Sequence, residues 1–120
     1  MLLDFVIYGE HVLFHKVPFL WRLHSVHHSD LDMDFTTALR FHFGEAIFSA
    51  ITKIVIIAIF GPPVWSVILF EIVLNTSAMF NHSNFVLPKW IDAKVAKIIV
   101  TPKFHEIHHS QKISDSMSNY

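Results

Sequence analysis

The chain has 120 residues, of which 52% are hydrophobic and 16% charged, with a formal net charge of −1. That is room for one domain, more apolar than the soluble average, and its charge offers no basis for binding nucleic acid. There are no cysteines, so disulfides, thiolate metal sites and cysteine nucleophiles are excluded and any metal meets nitrogen or oxygen ligands.

The stretch from Met1 to His15 lacks a basic leader and a small-residue cleavage site, and Asp4 and Glu10 break its apolar run. It does not read as a signal peptide. Asp4, Tyr8, His11 and His15 are spaced by four, three and four residues, a stripe along one helical face. Leu3, Phe5, Val6, Val12 and Phe14 fill the other faces, so the helix packs against lipid or protein. The stripe reads as His11 and His15 ligating a metal, with Asp4 and Tyr8 hydrogen-bonding behind them. The plainer reading is a few buried polar residues that satisfy one another.

Pro18 interrupts the pattern, and a short amphipathic run through Trp21 leads into His24-Ser25-Val26-His27-His28. The same His-x-x-His-His spacing returns at His105, His108 and His109. On a helix, positions i, i+3 and i+4 share a face, so each cluster is expected to present three imidazoles the same way. Packing gains nothing from three adjacent polar rings, whereas neutral imidazole is a common ligand for zinc, copper, iron and nickel. The three aspartates of Ser29 to Asp34 read as a solvated turn, and His42 is by spacing either a hydrogen-bonded interior histidine or a ligand.

Two apolar runs follow, Ile47 to Phe60 and Val64 to Phe80, joined by Gly61-Pro62-Pro63. Proline cannot continue a helix interior, so the join is a turn. Counted from Gly44, each arm is about 17 residues, the lower limit for a bilayer crossing. A transmembrane hairpin returns the chain to its starting side, so the histidines before and after it share one face of the membrane. Lys16, Arg22, Arg40, Lys89, Lys94, Lys97, Lys103 and Lys112 all lie outside the hairpin, which places that face in the cytoplasm by the positive-inside tendency. Pro88 to Val100 reads as an interfacial helix. Thr101-Pro102 starts the last histidine helix, with Thr101 as N-cap. Gln111 to Tyr120 reads as a weakly structured polar tail. The fold class expected is all-α: a membrane helical bundle with a transmembrane hairpin and a cytosolic, histidine-rich di-metal cap, in one domain over 1–120.

His11, His15, His24, His27, His28, His82, His105, His108 and His109 make nine candidate ligands. One ion takes four to six, so nine suit two. All-imidazole ligation leaves the ions most of their charge. Iron so held could use O2 against an unactivated C–H bond, a hypothesis about mechanism that spacing alone does not establish.

The order His11-x-x-x-His15, then Leu20-Trp21-x-x-His24-x-x-His27-His28-Ser29, Asn81-His82-Ser83-Asn84 and Thr101-Pro102-x-x-His105-x-x-His108-His109-Ser110 resembles the fatty acid hydroxylase/sterol desaturase superfamily. Asp4-x-x-x-Tyr8-x-x-His11 fits its opening motif. The resemblance implies two iron ions, O2 as co-substrate and a membrane lipid substrate that is hydroxylated or desaturated. It also implies an electron donor: a reductase, a ferredoxin or a cytochrome b5-like protein. The family usually has Arg at the position of Val12 and often His-Pro-x-Glu at His42-Phe43-Gly44-Glu45. It also has further membrane helices before the first box and a Trp-Asp motif after the last. The chain therefore looks like a catalytic segment truncated at both ends. Two other classes compete. A membrane metal-binding or transport protein should carry histidine within the membrane arms, and Ile47 to Phe80 has none. A zinc-dependent hydrolase needs a carboxylate base, for which Glu106 is the candidate.

Overall fold

Gly61 adopts φ +57°, the left-handed conformation that glycine takes without a Cβ penalty, and it ends a helix there. Pro62 and Pro63 follow, and the chain turns back at once. The computed structural model describes residues 2–110 and 112–116. The two arms are α3 (Phe43–Phe60) and α4 (Val64–Asn81), each 18 residues and so about 27 Å long, close to the roughly 30 Å of bilayer hydrocarbon. Only 6% of the first and none of the second is buried within the protein. Helices this apolar and this uncovered belong in lipid, and the chain is a membrane protein with an all-α fold.

Before the hairpin come α1 (Leu2–Lys16) and α2 (Pro18–His24), separated by Val17 in an extended conformation where Pro18 opens the next helix. After it come α5 (Lys89–Val95), α6 (Pro102–His108) and α7 (Ile113–Ser116). α1 packs on α2 and α3, and α6 on α4. The Phe14 and Phe48 rings meet edge-on at 5.5 Å, and Ser49 Oγ donates to Glu10 Oε2 at 2.7 Å, fixing α1 to the first turns of α3. The amphipathic stretch expected over 88–100 is helical only to Val95, and 96–99 are turns. Of the tail, Ile113–Ser116 forms one helical turn, while Gln111 and residues 117–120 lie outside the described residues.

The segment read as a solvated turn is a built one. Asp34 caps a 3-10 turn (Phe35–Leu39): its Oδ1 accepts from the Thr36 amide, and Thr37 Oγ1 accepts from the Asp34 amide. Asp30 Oδ2 accepts from Thr37 Oγ1 at 2.7 Å and pairs with Arg40 at 3.4 Å. These bonds hold the chain between the first histidine cluster and the hairpin.

Halfway down the hairpin, Lys53 Nζ donates to Glu71 Oε1 at 2.7 Å, linking the arms near the bilayer centre. A lone charge at that depth costs about 2.5–3.5 kcal/mol. Lys53→Met should therefore lower thermal stability in detergent and in bicelles, and adding Glu71→Leu should restore it. A double variant no more stable than Lys53→Met would show that the pair contributes nothing to the hairpin.

Candidate metal centre

The interior beside the hairpin is polar. Among the described residues the buried apolar side chains are Leu3, Phe14, Ala38 and Pro102, while His15, His24, His27, His82, His105 and His108 are all buried. The nine histidines converge in two groups, within each of which the donor nitrogens lie no more than 4.8 Å apart. His11, His15, His24, His28 and His108 form the first; His27, His82, His105 and His109 form the second. The groups abut, with the His28 and His109 rings stacked at 4.2 Å between centroids.

α1 supplies His11 and His15 one turn apart, with Nε2 atoms 3.2 Å from each other. α2 ends at His24, where Ser25 Oγ turns back to the Arg22 carbonyl and the chain tightens into a 3-10 turn (His27–Ser29). The expectation that each cluster presents its three rings the same way is corrected, because adjacent residues diverge by about 100° around a helix. His24 and His28 enter the first group and His27 the second. The second cluster divides in mirror fashion, His105 and His109 entering the second group and His108 the first. His82 arrives from the C-terminal end of α4.

Outer hydrogen bonds fix the tautomers. His24 donates from Nδ1 to Glu45 Oε1 at 2.7 Å, His27 from Nδ1 to the Arg40 carbonyl at 3.1 Å, and His82 from Nδ1 to the Ala78 carbonyl at 2.6 Å. A carbonyl only accepts, so in neutral His27 and His82 the proton sits on Nδ1 and Nε2 carries a lone pair. Those two Nε2 atoms are 2.9 Å apart. With no proton between them they repel, and a cation resolves the conflict. The other close Nε2 pairs are His11–His108 at 3.0 Å, His11–His24 at 3.2 Å and His82–His105 at 3.0 Å. Two imidazole nitrogens bound at right angles to one ion at 2.0–2.1 Å would sit about 3 Å apart. His28 Nε2, His105 Nδ1 and both ring nitrogens of His109 are buried with no hydrogen-bond partner among the described residues. This donor set fits two metal ions.

Burial keeps seven of the rings neutral. It pushes His15 and His109 from the ordinary 6.5 down to about 3 and His27 to about 2, and the neighbouring imidazoles add to the effect. His11, His28, His82 and His105 move the same way, led by loss of solvent. Neutral imidazole is the form that ligates.

The three outlying candidates lie apart from both groups. Asp4 and Tyr8 are exposed on the far turns of α1 and form no hydrogen bond to a histidine among the described residues. The expectation that they stand behind His11 and His15 is not met: the carboxylate that backs a histidine is Glu45. His42 is exposed and caps α3, its Nδ1 accepting from the Gly44 amide at 2.9 Å. Glu45 was not singled out from sequence. A carboxylate in the first turn of a helix is favoured there by the helix dipole alone, so its position carried no separate signal of the buried histidine partner. Thr101 takes the N-cap position of α6 as expected, but its side chain makes no capping bond.

Glu45→Gln should weaken metal binding by about tenfold to a hundredfold, the usual cost of losing an outer partner of a ligating histidine. His42→Ala should leave metal affinity unchanged while costing up to about 1 kcal/mol of stability as a lost cap. Competition with a chromophoric chelator measures the first and thermal unfolding the second. The histidines also set a pH dependence for metal-stripped protein. Unfolded histidine takes up a proton near pH 6.5, whereas His15, His27 and His109 in the fold refuse it until about pH 2–3. The unfolded chain therefore binds more protons between those limits. Stability should fall as pH drops below 6.5, at about 1.4 kcal/mol per unit for each such group, and stay level above it. Thermal melts from pH 8 to pH 4 would test this, and a flat profile would contradict it.

A model of the fatty acid hydroxylase family matches residues 1–120. The chain is 27% identical over 120 residues to an ornithine lipid hydroxylase of Rhizobium tropici, covering 98% of this chain and 34% of that protein. It is 30% identical over 122 residues to the alkylglycerol monooxygenase of Xenopus tropicalis, covering 98% of this chain and 25% of that one. A very-long-chain aldehyde decarbonylase of Oryza sativa subsp. indica is 30% identical over 116 residues, covering 90% of this chain and 19% of its own. The chain thus spans about a third of the length of the first of these relatives and a quarter or less of the others. No solved structure matches. With the family model matching from the first residue to the last, the chain belongs to the fatty acid hydroxylase family.

Proposed function

We propose that this chain holds the di-iron centre of a membrane-bound oxygenase that hydroxylates a lipid. The observation that carries the reading is the approach of His27 Nε2 and His82 Nε2 to 2.9 Å with both Nδ1 atoms already donating to carbonyls. That geometry calls for a cation, and the five-nitrogen and four-nitrogen sets call for two. Imidazole suits zinc, copper, iron and nickel alike, but zinc has no redox chemistry and a hydroxylation needs it. The names of the relatives, a lipid hydroxylase and a monooxygenase, favour hydroxylation over desaturation.

The reaction consumes one C–H bond, one O2, two electrons and two protons, and yields one C–OH group and one water. Bound iron supplies the activation of O2. The chain's own groups do the rest. Burial holds His11, His15, His27, His28, His82, His105 and His109 neutral, so they offer lone pairs at physiological pH. Glu45 and the carbonyls of Arg40 and Ala78 accept the Nδ1 protons of His24, His27 and His82 and so aim each Nε2 inward. The two electrons come from a separate donor, a reductase, a ferredoxin or a cytochrome b5-like protein. We place the centre on the cytoplasmic face, where eight Lys and Arg side chains outside the hairpin favour it. A transport role is disfavoured because neither histidine group lies within α3 or α4.

Protein expressed in iron-replete cells should carry two irons per chain. His11→Ala should deplete the first site and His27→Ala the second. With a chemical reductant, O2 and membrane lipid, the loaded protein should take up O2 and add one oxygen atom to a lipid. A single bound zinc, with no O2 uptake after iron loading, would end this reading.

A further inference from the structure

The second arm of the hairpin, α4, has a sheltered side and a bare one. Val67, Phe70, Leu74 and Ala78 are half-buried and share the side on which Glu71 reaches Lys53 of α3. On the other side Trp65, Ile68, Ile72, Asn75 and Met79 are all exposed. These five positions are spaced by three, four, three and four residues. That is the heptad spacing with which one helix packs along another, its seam kept in line over two heptads.

Lipid asks only for apolar side chains along such a face, and Asn75 is not one. It is the twelfth of the 18 residues of α4, about 4 Å from the midpoint of the helix. Hydrocarbon at that depth offers an amide no partner. Asn75 Nδ2 donates to the Glu71 carbonyl one turn back at 2.7 Å. It lies 3.5 Å from Glu71 Oε2, too far for a strong bond, so its second N–H is little engaged. Its Oδ1 accepts no hydrogen bond among the described residues. An amide with a spare donor and a spare acceptor is complementary to a second copy of itself. Across a two-fold axis, two such groups exchange a pair of N–H···O bonds. The carboxylate one turn away is no obstacle to the meeting, because Glu71 is neutralised by Lys53 of its own chain.

We propose that this face of α4 is a self-association seam, along which two copies of the chain pack in the membrane with their Asn75 amides bonded to each other. Copies inserted in the same orientation are related by a two-fold axis along the membrane normal, so the two α4 helices run parallel and both histidine caps stand on one face. A lone polar residue in an apolar seam also fixes the register, since any slip returns the amide to hydrocarbon. The proposal is independent of the lipid-hydroxylase reading and needs neither metal nor turnover.

The chain has no cysteine, so single cysteines report the interface directly. The full chain is placed in phosphatidylcholine vesicles at high dilution in lipid. With Ile68→Cys or Ile72→Cys it should form disulfide-linked dimers on oxidation with iodine, since facing seam positions come within the few ångströms that a disulfide spans. Leu69→Cys and Val73→Cys are exposed on the same helix but off the seam, and should stay monomeric. Energy transfer between chains labelled through Lys112→Cys, read over a range of protein-to-lipid ratios, gives the dissociation constant. Asn75→Leu should raise it about threefold to thirtyfold, the span of an interhelical hydrogen bond in a membrane. Asn75→Gln, which keeps the amide, should recover much of the loss. If Asn75→Leu loses its helical circular dichroism, the cysteine pattern in the otherwise native chain decides. A chain that is monomeric at every ratio, or crosslinks that ignore the seam, overturn the proposal. So does a folded Asn75→Leu variant that associates as tightly as the parent, which would assign the face to lipid or to another helix.

Discussion

Two imidazole nitrogens that both carry lone pairs cannot rest 2.9 Å apart without something positive between them. His27 and His82 are held in that position by carbonyl oxygens that have already taken their protons. The constraint spreads outward because the cap has so little apolar interior to lean on: Leu3, Phe14, Ala38 and Pro102 are its buried apolar side chains among the described residues. A buried polar atom left without a partner costs about 1–3 kcal/mol, and a whole domain commonly has only about 5–15 kcal/mol to lose. A cap whose centre is nine imidazoles is therefore unstable as an empty shell. Metal ions, for which both groups offer ligands, would satisfy those lone pairs and so couple metal binding to stability.

The hairpin gives this cap its place. Both of its inner ends reach the centre: Glu45 sits in the first turn of α3 and accepts from His24, and His82 closes α4. Crossing the bilayer twice returns those two residues to the same face, where the tight left-handed turn at Gly61 sets their relative height. The outward faces of the arms need only be apolar. Lys53 and Glu71 link the two arms by an ion pair at 2.7 Å. The membrane segment thus acts as a ruler for a site it does not contain.

Much of this was legible in the residues. The hairpin followed from two long apolar runs about a Gly-Pro-Pro turn, because burial in lipid needs nothing but hydropathy and length. The set of converging histidines followed from repetition, since packing gives no reason to gather so many polar rings. What sequence could not supply was partnership between distant atoms. Asp4 and Tyr8 continue the helical stripe of His11 and His15, yet both are exposed and neither hydrogen-bonds a histidine among the described residues. His42 looked like a tenth donor and caps a helix, because a residue just before an apolar helix can satisfy the free amides there. Glu45, three residues on, points into the cap and does the orienting work expected of Asp4. Periodicity reports which face a residue is on and says nothing of what stands opposite.

The division of each histidine cluster explains why the motif has its spacing. On a regular helix, position i+3 falls about 60° short of a full turn from i, and i+4 falls about 40° beyond it. The last two rings of His-x-x-His-His therefore diverge by about 100° although their residues are adjacent. His27 and His28 stand 5.5 Å apart between ring centroids, and His108 and His109 5.7 Å apart, each pair divided between the two groups. The 3-10 turn after α2 leaves this assignment intact, since it is the divergence of adjacent rings that matters. Each cluster gives its outer two rings to one group and its middle ring to the other, and the two clusters do so in opposite senses. Two ions held by these groups would be kept close together, because the adjacent pairs 27–28 and 108–109 tie one group to the other. Proximity of the metals is written into the adjacency of two histidines, and the rest of the chain only has to bring the two clusters face to face.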